Sequence, residues 1–112
     1  GTNIRGEAIS DVLTFTANLS TALTTAKAFK TVTSIVFSAQ ADGTPAFDIG
    51  WNEAIGLPMC FSCMPLFWEV FNNARQTTDG TFTYDADEVE KNTYDPNGNL
   101  DGEKPLQLYV LV

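Results

Sequence analysis

Cys60-Phe61-Ser62-Cys63 is the first place to look for chemistry in this 112-residue chain. A C-x-x-C spacing serves redox dithiols and half-sites for zinc. Zinc takes about four ligands, and the sequence holds no other cysteine and no histidine. A redox pair usually starts a helix in a βαβ context, whereas this pair sits in an apolar run bracketed by Pro58 and Pro65. In an extended strand the two thiols would face opposite sides roughly 10 Å apart, too far for a disulfide. The expectation is two buried free thiols that pack as small hydrophobes.

The lack of histidine also removes Ser-His-Asp and Cys-His catalysis. Carboxylates remain. Asp85, Asp87, Glu88 and Glu90 cluster, but general acid-base work needs burial and separated pKa values. So polar a run reads as a solvated loop. Asp95, Asn97, Asn99 and Asp101 alternate oxygen donors in a way that suggests calcium. An EF-hand loop wants Gly at its sixth position and Glu at its twelfth, and here those are Leu100 and Leu106. Asn18-Leu19-Ser20 fits a glycosylation sequon, a triplet that often arises by chance. There is no Gly-rich phosphate loop and no basic-aromatic patch. The expectation is a non-enzyme with no catalytic residue, no metal ligand and no cofactor.

The dominant feature is instead a block of grease. From Leu57 to Phe71, eleven of fifteen positions are apolar. Surface of that kind must be covered by the chain's own core or by a partner. The length fits one domain, and a hydrophobic content of 44% is too high for a disordered chain. A net charge of −8 argues against nucleic acid and anionic membrane as partners. No apolar run is long enough for a transmembrane helix, and Gly1 to Ser10 lacks the layout of a secretory signal.

Strand formers dominate the elements that would position these residues. Strands are expected over 9–16, 31–40, 47–51, 59–64, 66–71, 81–84 and 106–112. Thr31 to Gln40 alternates most clearly, with Val32, Ser34, Val36 and Ser38 on one side and Thr33, Ile35, Phe37 and Ala39 on the other. Residues 20–29 read equally as a short helix or a loop, and residues 66–74 also match helical spacing, although their composition favours a strand. Asp42-Gly43 and Asp79-Gly80 mark turns, and Asp85 to Gly102 reads as a long acidic loop. The turn spacing points to a single all-β domain of short antiparallel strands, a jelly-roll or β-sandwich, over residues 9–112. Residues 1–8 hold little core material and read as an arm.

Three segments together carry a resemblance. They are Ser38-Ala39-Gln40-Ala41-Asp42-Gly43; Asp48-Ile49-Gly50-Trp51 with Ile55-Gly56-Leu57-Pro58; and Tyr94-Asp95-Pro96 with Asp101-Gly102 before the closing strand. This layout, from about residue 32 onward, resembles the head decoration or cement proteins of tailed bacteriophages. The Met59 to Phe71 block is more apolar than that pattern. The resemblance implies a virion protein on the outer surface of the capsid that bridges adjacent major capsid subunits and self-associates there. It carries over no catalytic residues. Candidate contact residues are Ile4 and Arg5 of the arm, with Met59, Phe61, Phe67 and Trp68 of the block. The alternative is a carbohydrate-binding β-sandwich using exposed aromatics among Trp51, Trp68 and Tyr84; aromatics on strands are more often core. A small hydrolase using Asp or Glu, with Asp87 as its test position, ranks last.

Overall fold

The computed structural model describes residues 1–15, 21–39 and 46–112. Its regular structure is nearly all β, in two small antiparallel sheets. The strands are β1 (Ile55–Gly56), β2 (Leu66–Phe71), β3 (Ala74–Arg75), β4 (Thr81–Thr83), β5 (Thr93–Asp95) and β6 (Leu106–Leu111), with a 3₁₀ turn at Val89–Lys91. One sheet has the order β1-β5-β4 and the other β3-β2-β6.

The longest ladder joins β2 to β6 over six residue pairs, from Leu66↔Leu111 to Phe71↔Leu106. Its register follows from the alternation in both strands, since a one-residue slip would turn every inner side chain outward. β2 turns into β3 through Asn72 and Asn73, with φ of 52° and 63°. Positive φ at both central residues is what a tight hairpin needs, and asparagine tolerates it better than most residues.

The core is small. Phe61, Phe82 and Tyr94 are buried together, with Leu57, Phe67, Leu108 and Val110 packed against them. The Phe67 ring of β2 lies 5.2 Å from Phe82 and 5.7 Å from Tyr94, so the inner faces of the two sheets meet at aromatic contacts. Four polar residues are buried as well: Asn3, Glu69, Glu90 and Asn92. No buried side-chain polar atom among the described residues lacks a partner, as burial away from water requires.

Several expected strands are absent. Among the described residues, 9–15, 32–39, 47–51 and 59–64 join no strand. Residues 59–64 lie between two prolines and bend at 58–59 and 62–63, which breaks the extended path. The other three segments have the composition of strands but form no ladder among the described residues. Of the ambiguous stretch 20–29, residues 21–29 form no helix, and residues 66–71 are the expected strand. Residue 20, the sequon at 18–20 and the Asp42-Gly43 turn lie outside the described residues.

The chain is elongated. Its radius of gyration is 16.5 Å and its extents are 50 × 28 × 22 Å, whereas a compact domain of this length has a radius of about 13 Å.

Candidate functional site

β2 alternates. Phe67, Glu69 and Phe71 share its inner side, and Leu66, Trp68 and Val70 share its outer side. The register of β6 adds Gln107, Tyr109 and Leu111 to the same outer face. Trp68 and Tyr109, directly opposite each other, stack with centroids 5.2 Å apart and planes 6° apart. From the other side, the Arg75 guanidinium carbon sits 5.9 Å from the Trp68 ring centre, within reach of a cation–π contact. Leu66 and Leu111 are paired and both exposed. The face runs on into a groove of about 330 Å³ lined by Met59, Cys60, Cys63, Pro65, Leu111 and Val112 among others. An outward sheet face of leucine, tryptophan and tyrosine keeps apolar surface in water unless something covers it.

Beneath this face lies Glu69, with no exposed surface. Its Oε2 accepts hydrogen bonds from Tyr94 Oη at 2.6 Å, Asn97 N at 3.0 Å and Gly80 N at 3.2 Å. Its Oε1 accepts from Gly98 N at 3.4 Å. Its own backbone N–H donates to Asp79 Oδ1 at 2.8 Å. One carboxylate thus ties β2 to the turn before β4, to β5 and to the loop after β5. Gly80 makes the close approach feasible, since a Cβ there would fall 2.1 Å from the Asp95 carbonyl oxygen. Burial and the hydrogen bond to Glu69 push the Tyr94 hydroxyl above its ordinary pKa, so Tyr94 stays a donor.

Asn92 ties down the groove. Its Oδ1 accepts from Phe61 N at 3.2 Å and Asp85 N at 3.0 Å, and its Nδ2 donates to Asp85 O and Glu88 O at 3.0 and 2.9 Å. The acidic cluster belongs to the same framework. Asp85 Oδ1 accepts from Asp87 N and Glu88 N, and these bonds lower its pKa. Glu88 pairs with Lys91 and with Lys27 at 3.3 Å, and both lysines hold its pKa down. Glu90 is buried; it pairs with Lys27 at 3.4 Å and accepts from Asn3 Nδ2 at 3.3 Å. The reading of this run as a solvated loop is therefore corrected: Val89 and Glu90 point inward and dock the turn. A general acid needs a raised pKa, and Asp85, Glu88 and Glu90 move the other way.

The expected long loop from 85 to 102 is corrected in the same way, since β5 crosses its middle. Of the oxygen donors weighed for calcium, Asp101 is used elsewhere. Asp101 accepts from Glu103 N and Lys104 N and pairs with Lys104 at 3.0 Å, while the backbone of Asn97 and Gly98 turns to Glu69. Among the described residues no group of three or more His, Cys, Asp or Glu is placed to hold a metal ion. The thiols also depart from expectation. Cys63 is exposed and Cys60 half-buried, because the bends at 58–59 and 62–63 turn both toward the groove rather than into the core.

The six candidate contact residues fall in three places. Phe61 is buried in the core cluster and also lines the groove, and Phe67 packs against that cluster. Met59 lines the groove and Trp68 stands on the outer face. Ile4 and Arg5 are exposed on a separate loop, and Ile4 lines a second groove with Phe29 and Ile55. Within residues 1–8, read from the sequence as an arm, Thr2 bridges Ala8 and Thr31, and Asn3 Oδ1 accepts from Arg5 N and Glu7 N. Sequence reasoning missed Arg75, Tyr109, Leu111 and the Glu69 junction. The alternation Leu106-Gln107-Leu108-Tyr109-Val110-Leu111 carries the signal for Tyr109 and Leu111, but only once its partner strand is known.

Comparison of the chain with protein-family models, with curated proteins and with solved structures finds no match. Among the described residues, no helix is long and apolar enough to cross a membrane.

Proposed function

We propose that this chain is a non-enzymatic structural protein of a virion. It decorates the outer surface of a bacteriophage capsid and bridges adjacent major capsid subunits. The observation that carries the reading is the outer face of β3-β2-β6, where Leu66, Tyr109 and Leu111 stand exposed around a half-buried Trp68, above a carboxylate junction. Rigid aromatic and aliphatic side chains on a fixed sheet form the centre of a protein interface. The bacteriophage shell enters through the turn segments at 38–43, 48–58 and 94–102.

Charge favours a shell whose contact surface is basic, because the acidic residues lie mostly on the sheets and their loops. The finer architecture belongs to this reading: the two sheets, joined through Phe67, Phe82 and Tyr94, act as the halves of a small sandwich or jelly-roll. The test is co-sedimentation of purified protein with undecorated heads. Saturable binding at micromolar concentration supports the proposal, and a protein left in the supernatant overturns it.

One observation favours a carbohydrate-binding module instead. Trp51 is 97% exposed, and a bare indole face is a sugar platform. Trp68 suits that role less well, because Tyr109 and Arg75 flank its ring. A glycan array with wild type and Trp51→Ala separates the two readings.

A further inference from the structure

We infer that Cys60 and Cys63 form a thiol–disulfide exchange site. It takes small uncharged disulfides from the open side of the groove and closes an intramolecular disulfide across the bend.

In an extended strand the thiols at i and i+3 face opposite ways, too far apart to join. The folded segment is not extended. Residues 60–63 join no strand and bend at 62–63, and both cysteines line one groove of about 330 Å³. A bend inside four residues draws the end Cα atoms toward the roughly 4.4–6.8 Å that a disulfide spans. The frame around the bend is fixed. Between the cysteines, Phe61 is 7% exposed, and its ring meets Phe82 edge-on at 5.1 Å. Its N–H donates to Asn92 Oδ1 and to Asp85 O, both at 3.2 Å. On either side, Leu57 N donates to Asn92 O at 2.8 Å, and Leu66 pairs with Leu111. Phe61 thus anchors the segment in the core, while the cysteines flanking it line the groove.

Exposure divides the labour. Cys63 is exposed and Cys60 half-buried, so a disulfide arriving from solvent meets Cys63 first. The Cys63 thiolate attacks one sulfur of R–S–S–R. A bond forms from Cys63 Sγ to that sulfur, the S–S bond breaks, and the departing thiolate takes up a proton as R–SH. The Cys60 thiolate then attacks Cys63 Sγ. The Cys60–Cys63 bond forms and the second R–S⁻ leaves, taking the proton that Cys60 gave up. The two cysteines lose two electrons, and the external disulfide gains them as two R–SH.

The lining sets the substrate class. Beside the thiols, the groove is lined by Met59, Phe61, Ser62, Pro65, Leu111 and Val112, none with a charged side chain. The chain carries a net charge of −8. An anionic disulfide such as oxidised glutathione is repelled by the whole protein and finds no cation in the lining to hold its carboxylates, whereas a neutral disulfide meets neither obstacle.

Intact mass of the reduced protein after treatment with 2-hydroxyethyl disulfide and acid quenching tests this. Wild type should become two hydrogens lighter, with no adduct and no free thiol. Cys60→Ser should stop at a 2-hydroxyethylthio adduct on Cys63, and Cys63→Ser should form its adduct roughly tenfold or more slowly. At low salt, oxidised glutathione should react with wild type roughly tenfold more slowly than the neutral disulfide, and salt should narrow the gap. A wild type that does not react overturns the inference. So does one that keeps stable adducts on both cysteines, one that links into disulfide dimers, or one that reacts equally fast with both reagents at low salt. The wild-type masses need no variant, so a substitution that folds poorly leaves the question decidable. None of these measurements includes a capsid, so failure here leaves the decoration proposal standing, and the converse holds.

Discussion

Replacing Glu69 by glutamine keeps the shape of the side chain and reverses the polarity of half of it. The carboxylate accepts four hydrogen bonds and forms no ion pair among the described residues. In the best orientation, glutamine places its oxygen where Oε2 stood, opposite Tyr94 Oη, Asn97 N and Gly80 N. Those three bonds lose their ionic character, at about 0.5 to 1 kcal/mol each. The new amide nitrogen then points its hydrogens at Gly98 N, another donor, and leaving that group unpaired costs about 1 to 2 kcal/mol. Against this stands the relief of a desolvated charge, itself worth several kcal/mol when a carboxylate is badly solvated. Four converging donors offset most of that penalty, so the net loss should be about 3 kcal/mol. For a domain of this length that is a fall of about 15 °C in Tm. Urea unfolding followed by far-ultraviolet dichroism, with an unchanged slope, measures it. A Glu69→Gln protein as stable as wild type would show that desolvation outweighs the hydrogen bonds, and the junction would then be no anchor for the outer face.

Three further outcomes follow from the same geometry. Gly80→Ala should destabilise by about 2 kcal/mol or more, because the added methyl meets the Asp95 carbonyl and Pro96; an unchanged melting curve would show that the turn shifts freely. In thiol titration of the native protein, Cys63 should react before Cys60, as its greater exposure requires; equal rates in the Cys60→Ser and Cys63→Ser variants would contradict the groove. With pH, Asp85, Glu88, Glu90 and Asp101 all have lowered pKa values in the fold. Their contribution is complete above the ordinary values of 3.8 and 4.5 and disappears as acid protonates the folded carboxylates. Lys27, Lys91 and Tyr94 are raised, so their contribution holds below about pH 10 and is lost above it. Tm should be flat in between, and a maximum at pH 3 would refute the pairing.

Alternation made β2, β4 and β6 legible, because each carries its own period of large side chains. β5 was hidden, since Tyr94 sits between Thr93 and Asp95 in a run rich in acids and turns. β3 was hidden because only the paired Asn72-Asn73 turn announces it. The clearest period of all, Thr31 to Gln40, yields no ladder over its described residues, for composition prepares a strand but only a neighbour completes one. The Glu69 junction was illegible for a different reason. Its donors are mostly backbone groups far away in the chain, and no side-chain pattern marks them. The outer face was half legible: Trp68 was expected at a contact, whereas Tyr109 and Leu111 needed the β2–β6 register.

The proposed role rests on Leu66, Trp68, Tyr109 and Leu111 as the face that grips a shell. Titrating undecorated bacteriophage heads with wild type and with Leu66→Glu tests it most directly, because Leu66 is two-thirds exposed and its replacement leaves the core alone. Wild type should saturate the heads, and Leu66→Glu should bind them roughly tenfold or more weakly. Equal binding by the two proteins, or none by either, would contradict the account.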